Sequence, residues 1–191
     1  MKYHFIETKY FGRREIIILP DDNIWTPNIC PKCGGNHVTT SIPAVIEIKG
    51  VPCDFYENSG KLFISSNCLK VFQQLELTGY KVQPVQVKSK NNKLCSTHLE
   101  YYELIIEGRC GYAMNTNHEF LPKCNFCGRR LPLKESVSGL SFNESDYDGS
   151  SIFSYNNLTN YPIVCDTIKK MLIKAKLSNI KFTELSQMTM I

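Results

Sequence analysis

Long apolar runs are missing from this sequence of 191 residues. No run approaches the ~20 residues that a membrane-spanning helix needs, and the run Ile16–Leu19 has the length of a strand. The first 15 residues contain neither an apolar segment nor a small-residue cleavage site of the kind that a secretion signal requires. We therefore expect a cytoplasmic protein that has no membrane partner.

An excess of charge of one sign is also lacking. The chain has 22 Lys and Arg against 18 Asp and Glu, so its net charge is only +4, which is far from the profile of an obligate nucleic-acid coat protein. Motifs for catalysis are absent as well, since there is no glycine-rich phosphate loop, no His-Glu-x-x-His and no serine elbow. We expect no enzymatic activity.

What the chain does have is a globular composition, with 42% hydrophobic residues. A chain of this size can bury a core without help from metals or disulfides. We expect a single domain, 1–191, of the α+β class, built on a mixed or antiparallel sheet. The predicted αβ body covers about 44–107 and 149–185, and the two cysteine-rich segments cover about 28–38 and 122–130.

Cysteine is the most informative residue type. The nine cysteines are Cys30, Cys33, Cys53, Cys68, Cys95, Cys110, Cys124, Cys127 and Cys165. Their odd number and the expected location argue against a disulfide framework. Four of them form two matched pairs, Cys30-Pro-Lys-Cys33-Gly and Cys124-Asn-Phe-Cys127-Gly. The others are interpreted as small apolar or loop residues.

A Cys-x-x-Cys-Gly turn is typical of a zinc knuckle. The spacing places both thiolates on one side of a tight turn, at the ~2.3 Å zinc–sulfur distance, and the glycine allows a positive φ so that backbone N–H groups can face the sulfurs. Two knuckles provide four thiolates, which close a tetrahedral structural site. The sequence thus predicts zinc at Cys30, Cys33, Cys124 and Cys127, joining segments that are 90 residues apart.

Alternatives at this site stay open at the level of sequence. A histidine could replace one thiolate, and His37 is better placed for this than His98 or His118. A thioredoxin-like redox pair is disfavoured, because such a pair needs a helix start and neither knuckle is followed by one. The pairs could also bind nothing.

A weak internal repeat is the second feature. Gly149–Ser154 is similar to Gly60–Ser65, and Ile180-Lys-Phe follows a predicted helix as Tyr80-Lys-Val does, at an offset of 100 residues. Each copy reads strand–loop–helix–strand, with Ser66 or Asn67 as the expected cap of the first helix. Since neither copy can bury its apolar face alone, we expect the two to share one core.

Together, the knuckles, their wide spacing and two further segments resemble the double-CXXCG motif family of bacterial proteins. The further segments are Asp54–Gly79 and an ending from Ser151 to Leu185, so that the resemblance covers about 25–185. Members with an assigned role are immunity proteins of toxin–immunity systems. The resemblance therefore implies an antitoxin that binds and neutralises a cognate protein toxin.

The alternative function is a zinc-ribbon protein that binds nucleic acid. Its support is basic residues, namely Arg13-Arg14, the segment 88–93 and Arg129-Arg130, with Tyr and Phe interleaved. Such short clusters are usually solvated surface, and a genuine phosphate-binding face would give a strongly salt-dependent affinity. We rank this function below the immunity role.

Overall fold

The structure is a computed structural model that describes residues 1–9, 15–18, 27–38, 43–88 and 100–190, without the side chains of residues 15, 27, 28 and 36–38. Its strands are β1 (Tyr3–Thr8), β2 (Glu15–Ile18), β3 (Pro27–Ile29), β4 (Asn36–Val38), β5 (Val45–Lys49), β6 (Phe55–Asn58), β7 (Lys61–Ser65), β8 (Tyr80–Pro84), β9 (Gln86–Lys88), β10 (Tyr101–Ile106), β11 (Gly108–Arg109), β12 (Val137–Ser138), β13 (Phe153–Tyr155), β14 (Leu158–Cys165), β15 (Ile180–Glu184) and β16 (Thr189–Met190). The helices described are α1 (Ser66–Gln74) and α2 (Asp166–Lys174), with 3-10 turns at Glu144–Asp146 and Leu185–Gln187. The α+β class is thus confirmed.

The strands form two main sheets. The five-stranded sheet has the order β11-β13-β14-β1-β15, and the four-stranded sheet has the order β6-β7-β10-β8. All their pairs are antiparallel except the parallel pair β11–β13. A three-stranded sheet, β2-β5-β9, and the ribbons β3–β4 and β12–β16 complete the strand pairing described.

Each main sheet includes a β-hairpin and a further strand, and a helix connects the hairpin to that strand. The first unit is β6-β7-α1-β8, with β10 between β7 and β8, and the second unit is β13-β14-α2-β15, with β1 between β14 and β15. The segment Gly149–Ser154 leads into β13, the outer strand of its hairpin, whereas Gly60–Ser65 contains β7, the strand that enters the helix. The sequence match between these two segments therefore joins strands that have different places.

The helices form because their apolar residues recur on one face. In α1 these residues are Cys68, Leu69 and Phe72, all buried, and they join Leu172 of α2 and Val164 of β14 in one buried apolar cluster. Both units thus contribute to the same core. Neither helix has the length and apolar character needed to cross a bilayer.

The helix caps differ between the units. Ser65, rather than Ser66 or Asn67, is the N-cap of α1, because its hydroxyl accepts a hydrogen bond from the Cys68 N–H at 3.1 Å. The predicted cap was therefore one or two residues too far along the chain. The equivalent position of α2 is Cys165, whose side chain makes no capping hydrogen bond.

Polar contacts join each unit to the turn that follows the other unit's helix. In one direction, Asp54 accepts hydrogen bonds from the N–H and the hydroxyl of Ser178, both at 2.7 Å, and Asn179 Nδ2 donates to Phe55 C=O at 2.7 Å. In the other, the Ser151 N–H donates to Thr78 Oγ1 at 3.1 Å. These contacts fix the two units against each other.

Candidate metal centre

The first cysteine pair lies in the turn between β3 and β4. The Gly34 N–H donates to the Cys30 carbonyl and the Cys30 N–H donates to the Gly35 carbonyl, both at 2.9 Å. Gly34 has a φ of +66°, a conformation that a side chain would strain. The hairpin therefore presents the loop as a compact turn with the two sulfurs close together.

The second cysteine pair repeats this pattern at an offset of 94 residues. The Gly128 N–H donates to the Cys124 carbonyl at 2.9 Å, and the Cys124 N–H donates to the Arg129 carbonyl at 2.8 Å. Gly128 has a φ of +74°. The flanking bridge between Lys123 and Arg130 closes this turn as β3 and β4 close the first.

The two turns bring four sulfurs together. Cys30 Sγ lies 3.9 Å from Cys124 Sγ, and Cys33 Sγ lies 3.7 Å from Cys127 Sγ; all four sulfurs are within 4.8 Å of one another. A tetrahedral ion at ~2.3 Å from each sulfur would set the sulfur–sulfur edges at about 3.8 Å. The separations also far exceed the roughly 2.05 Å of a disulfide. The cluster is thus compatible with a metal site.

Histidine contributes nothing to this cluster among the residues described. His118 is exposed and does not belong to the group of four. The side chain of His37 and the whole of His98 lie outside the described part of the chain, so the prediction that concerns them stays untested.

The other cysteines are placed away from the cluster. Cys53, Cys68 and Cys110 are buried, and Cys165 is half-buried; Cys95 lies outside the described residues. Burial raises the pKa of the Cys68 and Cys110 thiols, which keeps them protonated and unreactive.

Backbone N–H groups prepare the cluster for negative charge. The N–H groups of Cys127 and Phe126 face Cys124 Sγ and lower its pKa to about 6. The Arg129 N–H favours the Cys127 thiolate, but desolvation and the other three sulfurs outweigh it and raise the pKa of Cys127 to about 12. All four thiols ionise together only if a cation balances them, because like charges this close repel. The donor set therefore suits a thiolate-binding metal ion.

Other side chains attach the knuckles to each other and to the sheet. A Cβ atom on Gly35 would lie 2.9 Å from Arg129 Nη1, so the absence of a side chain there lets Arg129 cross the first knuckle. Asn157, in the β13–β14 turn, accepts from the Ala113 N–H at 3.0 Å through its side-chain Oδ1 and from the Arg130 N–H at 3.4 Å through its backbone carbonyl. The second knuckle is thereby tied to the second unit.

An exposed aromatic surface beside the cluster was not predicted. Phe126, between the two cysteines of the second knuckle, is 66% exposed, and Phe120 is 60% exposed. Lys123 Nζ lies 3.4 Å from the ring centroid of Tyr112 and 5.9 Å from that of Phe120. The only signal in the sequence is the apolar residue at the tip of a polar Cys-x-x-Cys turn.

No protein-family model matches the chain, and no curated protein matches it. The double-CXXCG resemblance therefore rests on the motifs and segments themselves.

Proposed function

We propose that this protein is an immunity protein that binds and neutralises a cognate bacterial toxin, and that a structural zinc ion holds its two knuckles together. One observation carries the proposal: four sulfurs from segments 90 residues apart form a single compact cluster. This is the arrangement that the double-CXXCG motif would produce. Immunity proteins of that family provide the functional half of the argument.

Zinc fits the donor set. Four thiolates at the edges of a tetrahedron suit zinc or iron, and in a zinc site they leave no position open for substrate or water. An ion held in this way contributes folding free energy instead of catalysis. We therefore assign the metal a structural role and assign inhibition to the protein surface.

The metal is tested by elemental analysis and by removing one ligand. We expect about one zinc per chain, and we expect Cys127→Ser to lose the metal and to lower the melting temperature strongly, since structural zinc contributes to folding. Cys165→Ser is the matched control, because Cys165 is half-buried and outside the cluster, so this variant should keep the metal and should not lower the melting temperature. A metal-free Cys127→Ser protein with the melting temperature of the wild type would contradict the structural role.

The immunity role is tested by co-expression with the product of the neighbouring gene. We expect the two proteins to co-purify as a stable complex at low and at high salt. We also expect co-expression to abolish the toxicity that the partner shows when it is expressed alone. Recovery of nucleic acid at low salt only, without a protein partner, would favour the zinc-ribbon alternative, because phosphate binding weakens steeply with salt.

The nucleic-acid alternative has one observation in its favour. Lys32 and Lys123 line a groove with the exposed ring of Phe126, and Arg129 and Arg130 follow the second knuckle and line a neighbouring depression beside Gly34 and Gly35. Of the other basic clusters, Arg13-Arg14 and residues 89–93 lie outside the described residues. The salt dependence of binding separates this function from the first.

A further inference from the structure

Two large aromatic side chains are exposed beside the second knuckle. Phe126 and Phe120 are 66% and 60% exposed, and Lys123 Nζ lies over the Tyr112 ring and 5.9 Å from the Phe120 centroid. Next to Phe126 lies an open groove, here called the knuckle groove, which is lined by Lys32, Lys123, Phe126 and Leu131 above the cysteine sulfurs. Single exposed apolar residues are common, but an exposed ring that lines a groove, with a second exposed ring six residues earlier in the chain, marks a candidate binding surface.

Among the described residues, the charged side chains that line the knuckle groove are both lysines. Lys32 and Lys123 line it, and Arg129 and Arg130 follow the second knuckle. Within residues 27–38 and 112–133, Glu119 is the one acidic residue, and its carboxylate accepts a hydrogen bond from Asn115 Nδ2 at 2.8 Å. A partner that fits this surface must therefore present carboxylates around an apolar contact.

A protein fits this surface better than a nucleic acid does. Binding to a phosphate backbone needs several cations that project freely, yet Arg130 Nη1 is buried and Arg129 crosses Gly35, which leaves Lys32 and Lys123 at the groove. The exposed rings are then the main contact area, as at the centre of a protein interface.

The surface is also rigid before a partner arrives. Both knuckle turns are closed by backbone hydrogen bonds of 2.8–2.9 Å, and the four sulfurs of the cluster lie between them. A preformed surface loses little entropy on binding.

We propose that the knuckle groove is the toxin-docking site, where Phe126 contacts an apolar patch of the partner and Lys32 and Lys123 pair with carboxylates at its edge. This inference rests on the proposed immunity function. The two knuckles then have two roles, because they hold distant segments of the chain together and also present the contact surface.

Replacing the exposed ring tests the apolar contact. We expect Phe126→Ser to weaken the complex with the neighbouring gene's product at least tenfold, with zinc content and melting temperature unchanged, because the Phe126 N–H that faces Cys124 Sγ is retained. Ile173→Ser is the matched control: Ile173 is 53% exposed on α2, and its replacement should change the affinity less than twofold.

Reversing one charge tests the expected sign of the partner. Lys32→Glu should slow association at least threefold at low salt and less at high salt. Lys174→Glu, on the exposed side of α2, changes the net charge equally and should have little effect. Equal effects of the two variants would contradict a local acidic contact.

The outcomes separate this inference from the proposed function. A wild-type complex that Phe126→Ser leaves within twofold would overturn the docking site and leave the immunity role standing. The absence of any wild-type complex would overturn both. Binding of a labelled 20-nucleotide single strand that Phe126→Ser weakens, with no protein complex, would reassign the groove to nucleic acid.

Discussion

The two units share one strand order but bury different polar side chains on their central strands. In the first unit, Glu103 of β10 is buried, and its carboxylate oxygens accept hydrogen bonds from Lys61 Nζ at 2.7 and 2.9 Å. In the second unit, the central strand β1 buries His4, whose Nε2 lies 3.2 Å from Asp166 Oδ1. The two units therefore have the same strand order and share an apolar core, although the polar pair on the central strand is different in each.

The largest effect should come from breaking the buried pair of the first unit. Glu103→Ala removes the buried carboxylate that accepts two hydrogen bonds from Lys61 Nζ, and removal of one partner of a buried ion pair costs about 3–5 kcal/mol of unfolding free energy. The side chains of Lys61 and Glu103 are only 15% and 10% exposed. Denaturant titration measures the loss.

The control for that variant is an exposed pair in the same sheet. Lys81 and Glu107 are 59% and 51% exposed, so Glu107→Ala should cost at most about 1 kcal/mol. Equal losses for the two variants would show that burial does not distinguish these ion pairs.

A second comparison concerns the turn after each helix. Gly79 and Asn179 both have positive φ, +86° and +60°, but a Cβ on Gly79 would lie 2.1 Å from the Ile152 carbonyl oxygen. We expect Gly79→Ala to cost about 2–4 kcal/mol, because it adds a backbone clash to an unfavourable φ.

Asn179→Gly tests the same turn in the other unit. Glycine adopts the positive φ without strain, but the change removes the hydrogen bond to the Phe55 carbonyl. The unfolding free energy should therefore fall by about 1–2 kcal/mol. Thermal unfolding of both variants shows which of them loses more stability. A larger loss for Asn179→Gly than for Gly79→Ala would contradict the steric argument.

The second unit should also be the more sensitive to mild acid. Burial, followed by the Lys169 ammonium, lowers the pKa of His4, although Asp166 and Glu184 oppose the shift. A group with a lowered folded-state pKa contributes stability above its unfolded pKa, about 6.5 for His, and that stability is lost as the pH falls. The melting temperature should therefore begin to fall below pH 6.5.

The variant His4→Gln isolates this titration. It should lower the melting temperature at pH 8 and reduce the further loss between pH 8 and pH 5.5. Asp54, in contrast, should matter only at lower pH: burial alone would raise its pKa, but hydrogen bonds from Ser178, Asn67 and Ser65 outweigh burial and lower it. An unchanged acid profile in His4→Gln would remove His4 as its source.

Short-range sequence patterns predicted the two knuckle turns and the set of four clustered cysteines. The knuckle turns follow from Cys-x-x-Cys-Gly spacing, and the four cysteines were grouped because thiolates need a common ion. The insertion of β1 and β10 between strands of the two units was not predictable, because strand order depends on contacts far apart in sequence. The aromatic surface at Phe126 and Phe120 was missed for a related reason, since a docking surface has no fixed spacing.

The smallest expected effect comes from exchanging the two N-caps. Ser65 accepts a hydrogen bond from the Cys68 N–H, whereas Cys165 makes no capping bond. We expect Cys165→Ser to raise the unfolding free energy by about 0.5–1 kcal/mol, because a serine hydroxyl satisfies an N–H that the thiol leaves open, and Ser65→Ala to lower it by about 1 kcal/mol. Denaturant titration of both variants checks the opposite signs. A loss of stability in Cys165→Ser would mean that the packing of the sulfur contributes more to stability than the capping hydrogen bond. The two helix starts would then be equivalent in backbone conformation only.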